Sequence, residues 1–124
     1  MNSTFSKILK ALLGIALIIF GANKFFEFFS TPELPDQAAN FMASLAATGY
    51  VLYIVGGIEI LVGFMLLLNK WVPFGLLLLA PISANILLFH LFLDLPGIGI
   101  ALAVAALNVV LIYKYWKAYT PLFN

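Results

Sequence analysis

The chain has 124 residues, 65% of them hydrophobic and only 9% charged, and its mean hydropathy is +1.13. A soluble domain of this length has too small an interior to hide that much apolar surface, so the composition excludes an ordinary globular protein and points to a membrane protein. The net charge of +1 comes without a basic cluster suited to nucleic acid, and the absence of cysteine removes disulfides, thiol redox chemistry, thiolate metal sites and iron–sulfur clusters.

In chain order, a short polar start leads past Lys7 and Lys10 into an apolar run over about residues 8–29. A basic start followed by an apolar stretch imitates a secretory leader, but apolar character resumes at Phe25 and Phe26, which predicts a retained transmembrane helix. A polar connection follows. Ser30, Thr31, Pro32 and Glu33, then Pro35 and Asp36, are helix-start chemistry, with the acids placed where a helix dipole favours them. Ala38, Phe41, Met42 and Leu45 then recur at i, i+3, i+4 and i+7, forming one apolar stripe. The spacing predicts a short amphipathic helix over about residues 36–48, ended by Gly49 and lying along the membrane or over the bundle.

The second span, about residues 50–68, is long enough at about 1.5 Å per residue to cross a hydrocarbon core. Asn69 to Pro73 form a tight turn with a basic residue and an interfacial tryptophan. The third span, about residues 74–93, contains Pro81, which deprives the Leu77 carbonyl of its helical partner and predicts a kink. Asp94 to Gly97 make the next turn. The fourth span, about residues 98–116, closes with lysines and aromatics typical of an interface belt.

Lys7, Lys10, Lys70, Lys114 and Lys117 fall at the two ends of the chain and in the second connection, whereas Glu33, Asp36 and Asp94 occupy the first and third. The bias of lysine toward the cytoplasmic side puts both termini inside. Gly14 and Gly21 in the first span, and Gly49, Gly56 and Gly63 in and before the second, are spaced by sevens. Gly97, Ala101 and Ala105 make a small-residue run in the fourth. Such stripes let membrane helices approach closely. The fold class is an all-α membrane protein, a single integral-membrane domain built as a bundle of four transmembrane helices.

Glu59 stands in the middle of the second span. Facing lipid there it would cost about 2.5–3.5 kcal/mol on insertion scales, so it must face other helices, find a partner or be protonated. Each span supplies at least one polar group, nearly all in the extracytoplasmic half. Lys24, Glu27, Glu59, Asn85, His90 and Asn108 are therefore expected to line one polar pocket for a small ligand or headgroup. Lys24 is the cation available to Glu59 or Glu27, Glu59 and His90 are the proton-exchanging groups, and the asparagines position by hydrogen bonds. The competing reading is structural: Glu59, Asn85 and Asn108 fix helix register at about 0.6–2 kcal/mol apiece. In that reading Lys24 and Glu27 snorkel as a pair, and His90 pairs locally with Asp94. No catalytic set is recognisable. A lone histidine does not supply bis-His haem ligation, no metal-ligand spacing occurs, and there is no phosphate-cradling glycine loop.

The phrases GANKFFEFF, TGYVLYIVGGIEILVGFMLLLNKWVPFGLLLLAPISANILLFHLFLD and PGIG resemble the DoxX-like family of small bacterial membrane proteins. Gly21, Asn23, Lys24, Gly56, Glu59, Gly63, Pro81, Asn85 and His90 match its recurring pattern. The resemblance implies four spans in the bacterial cytoplasmic (inner) membrane and an accessory subunit of a membrane oxidoreductase assembly, with quinone as the cofactor in view, rather than an enzyme by itself. The family's namesake is associated with a subunit of a thiosulfate:quinone oxidoreductase, a role not carried over to this cysteine-free chain. The alternative implied by related four-span cargo receptors and assembly chaperones is a non-enzymatic scaffold. The partners expected are the lipid bilayer, a membrane or periplasmic protein, and a second copy of the chain.

Overall fold

A computed structural model describes residues 2–29 and 33–124. It comprises α1 (Ser3–Phe26), α2 (Asp36–Ala47), α3 (Val51–Leu68), α4 (Val72–Leu93), α5 (Ile98–Lys114) and a short α6 (Trp116–Tyr119), with 3₁₀ turns at Leu95–Gly97 and Thr120–Phe123. The described residues contain no strand. α1, α3, α4 and α5 with its leading turn are long and apolar enough to cross a membrane, so the fold is an all-α bundle of four spanning helices.

Local chemistry sets the helix ends, and it shifts them from where hydropathy alone points. α1 starts ahead of the apolar run because Asn2 Oδ1 accepts the Thr4 N–H at 2.7 Å and caps the helix there. It stops at Phe26 rather than residue 29 because Glu27 takes a left-handed conformation, φ 51°. Asn23 Oδ1 then accepts the Phe29 N–H at 3.0 Å, holding the chain as it turns away. α2 opens after Pro35 with Asp36 in its first turn, and the expected start chemistry of Ser30, Thr31 and Pro32 lies outside the described residues. Gly49, at φ +80°, ends that helix in the region where a side chain is strained. Thr48 Oγ1 meanwhile accepts the Val51 N–H at 3.2 Å and so starts α3.

α4 runs unbroken through Pro81. Side chains donate to carbonyls around the proline: Asn85 Nδ2 to Pro81 O at 2.8 Å, and Asn108 Nδ2 from α5 to Leu76 O at 3.1 Å. Spanning helices tolerate proline, although neither of these bonds falls on the Leu77 carbonyl whose helical partner it removes.

The spans form a ring in which α1 neighbours α3 and α5, and α4 neighbours the same two. α1 and α3 pack antiparallel along their glycines. A Cβ on Gly14 would lie 2.9 Å from the Gly63 carbonyl oxygen, and one on Gly63 would lie 2.8 Å from that of Gly14. Gly21 and Gly56 repeat this reciprocal contact one heptad further along, at 2.6 and 2.9 Å. The two backbones therefore touch, as the heptad-spaced glycines predict. Leu13, Leu17, Val62, Leu66, Leu76, Leu79 and Leu111 fill the ring's centre. α2 lies across α3 and α4, with Ala38 of its apolar stripe fully buried.

Candidate functional site

Lys24 and Glu59 meet across the α1–α3 seam, with Nζ 2.6 Å from Oε1. A helical side chain leans toward its own N-terminus, so in this antiparallel pair Lys24 leans inward and Glu59 leans toward the α1–α2 end until they converge. Gly21 makes room for them, since a Cβ there would lie 3.1 Å from the Glu59 Cβ. The contact is a close ion pair, and Oε1 has no other partner. The Glu59 side chain is 3% exposed and that of Lys24 23%, so the acid is sealed while the ammonium reaches a second space.

That second space is a cavity of about 730 Å³ between α2, α3 and α4. Phe41, Met42 and Leu45 of the α2 stripe face it, opposite Val55 of α3 and Ile82 and Phe89 of α4. Phe41 and Phe89 bring their rings to 5.7 Å and join the α2 cover to the wall. Lys24, Asn85 and His90 are its polar members. His90 Nδ1 lies 3.1 Å from Asp94 Oδ2 and 3.2 Å from the Asp94 carbonyl oxygen, which fixes the ring at the end of α4. This is the i, i+4 pair that the sequence offers.

The single polar chamber expected of all six residues is not the arrangement observed. Lys24, Asn85 and His90 share a cavity whose wall is chiefly apolar, and Glu59 joins them only through Lys24. Glu27 is exposed at the left-handed end of α1, so it neither pairs with Lys24 nor lines the cavity. Asn108 is buried in the α4–α5 seam, where its Oδ1 accepts Ser83 Oγ at 2.8 Å and its Nδ2 holds Leu76 O. Both ends of its amide are thus engaged in helix packing. Among the described residues no three His, Asp or Glu side chains gather as metal ligands would.

Sequence reasoning missed one further polar cluster. Lys10, counted in the sequence only among the lysines that orient the chain, is 6% exposed, and its Nζ donates to Asn69 Oδ1 at 2.6 Å and to Tyr115 Oη at 2.8 Å. The available signal was its place inside the first apolar run, two heptads before Lys24.

Fold and geometry together define a multi-pass α-helical membrane protein with an ion pair inside its bundle. Over residues 6–91 the chain matches the DoxX family model, and it belongs to the DoxX family. The matched segment takes in the Lys24–Glu59 pair, Asn85 and His90 and leaves out α5 with Asn108. No curated protein and no solved structure matches the chain.

Proposed function

We propose that this DoxX-family protein is an integral-membrane accessory subunit of the bacterial cytoplasmic membrane, with both termini cytoplasmic. In its extracytoplasmic half it holds an amphipathic molecule, a lipid or a quinone, and so serves a redox-linked assembly. The observation that carries this reading is Lys24, which pairs with a sealed carboxylate on one side and opens into a large, mostly apolar cavity on the other. Ligand sites are concave and chiefly apolar, with a few placed polar groups that orient the bound molecule. In this reading Lys24, Asn85 and His90 meet the polar head, the α2 stripe covers the tail, and Glu59 holds the ammonium in position. Glu27 and Asn108 fall outside the site. Asn108 fits the structural role instead, since both ends of its amide join α4 to α5.

The test is mass spectrometry of small molecules that leave the membrane with protein purified in mild detergent. The parent is expected to retain a lipid or quinone that Lys24→Met loses while its helical circular dichroism persists. A parent that retains nothing specific, together with Lys24→Met and Glu59→Gln variants that unfold, would establish a scaffold.

A further inference from the structure

At the opposite end of α1 from Lys24, Lys10 is buried without an acid. An ammonium has three N–H donors; here two go to neutral oxygens, Asn69 Oδ1 and Tyr115 Oη, which leave the full positive charge in place. No ion pair to Lys10 exists among the described residues. The sequence puts every Asp and Glu elsewhere: Glu59 on Lys24, Glu27, Glu33 and Asp36 beyond the far end of α1, and Asp94 beyond the far end of α4. Burying a charge without a counter-charge is costly, so a built site of this kind calls for an anion.

Beside Lys10 lies a cavity of about 240 Å³, lined by Lys7, Lys10, Ala11, Leu66, Leu67 and Asn69. A third ammonium, Lys114 Nζ, stands 5.3 Å from the centre of the Tyr115 ring, and Lys10 Nζ stands 5.5 Å from the same centre. The cavity is thus cationic on one side and aliphatic on the other. Its aliphatic side belongs to two spanning helices, α1 and α3, next to Leu68, which is 65% exposed. A free anion would meet only half of such a wall, whereas a lipid headgroup with its chains running alongside meets all of it. We propose that this cavity binds the phosphodiester headgroup of an anionic membrane lipid, with Lys10 and Lys7 as its cationic contacts. Basic pockets between spanning helices at the cytoplasmic surface bind such headgroups on the same physical grounds. The site is separate from the cavity at Lys24, so either reading can fail alone.

The experiment measures the affinity of the purified protein, in neutral detergent, for phosphatidylglycerol and phosphatidylcholine of matched chains, with inorganic phosphate as a third ligand. Phosphatidylglycerol is expected to bind more tightly than phosphatidylcholine by about fivefold for each lysine engaged. Lys10→Gln and Lys7→Gln are each expected to remove one such factor, and inorganic phosphate is expected to leave thermal stability unchanged. Lys7 is exposed, so its variant reads out the site even if Lys10→Gln does not fold. Equal affinity for the two lipids would overturn the proposal. So would a preference that survives in both variants, or inorganic phosphate stabilising the protein as well as the lipid does.

Discussion

Two of the three lysines of α1, Lys10 and Lys24, stand two heptads apart on one stripe, and the bundle treats them in opposite ways. Lys24 turns from the end of its helix toward the middle of α3 and meets the carboxylate of Glu59 at 2.6 Å. Lys10 is the more deeply buried of the two, yet it receives only an amide oxygen and a phenol. The place of the partner groups accounts for the difference. Glu59 is sealed in the middle of a spanning helix, out of reach of water and headgroups, so the chain must supply its counter-charge itself. Lys10 instead meets the C-terminal ends of α3 and α5 at Asn69 and Tyr115, where water or a headgroup can come close and the chain's own acceptors need only orient the ammonium. Burial alone therefore does not say whether a membrane lysine is internally neutralised; what it packs against does.

The most damaging way to test this contrast is to remove the close approach on which the inner pair depends. Gly21→Leu drives a Cβ to within 2.6 Å of the Gly56 carbonyl oxygen, a backbone atom that cannot swing aside. We expect loss of the monodisperse species on size exclusion in detergent, or destabilisation of at least about 3 kcal/mol, the upper end for overpacking. Gly57→Leu meets nothing within 4 Å and should leave stability unchanged, which separates the seam from any general intolerance of bulk in α3. Next in size come the charges themselves. Lys24→Met or Glu59→Leu alone leaves an unpaired group inside the bundle and should cost about 3 kcal/mol. The double variant removes both charges and should regain most of the loss in thermal unfolding. If the double variant is as unstable as the singles, the pair is not what neutralises the acid.

Much of this was readable before any coordinates, and the limits of reading are physical. The spans were legible because only a long apolar run crosses a bilayer, and the seam was legible because heptad glycines have little other use in such a run. Lys24 could be named as the cation for Glu59 or Glu27 because it is the one lysine of the sequence expected on that side of the membrane. Glu27 was misread because Phe-Phe-Glu-Phe-Phe looks helical, while a left-handed helix end leaves no trace in hydropathy. Asn108 was misplaced for a different reason. Depth can be counted along a helix, but which neighbour a face meets depends on the ring order, and α5 turns Asn108 to Ser83 rather than to the cavity. The Lys10 cluster was out of reach because its partners arrive from 59 and 105 residues away, from two separate helix ends.

The smallest expected effect sharpens the contrast at Lys10. Tyr115→Phe deletes one acceptor of the ammonium but keeps the ring over which Lys10 and Lys114 sit, at 5.5 and 5.3 Å. If Lys10 lies within reach of water and headgroups, a water or lipid oxygen replaces the lost phenol, and the cost should stay near about 1 kcal/mol, the net worth of an ordinary hydrogen bond. If Lys10 is instead as shut off from water and headgroups as Glu59, no replacement exists, and the penalty should approach the 3 kcal/mol or so expected of a broken buried pair. Thermal unfolding of the Tyr115→Phe and Lys24→Met variants side by side decides between these. Equal losses would refute the claim that Lys10 lies within reach of water and headgroups.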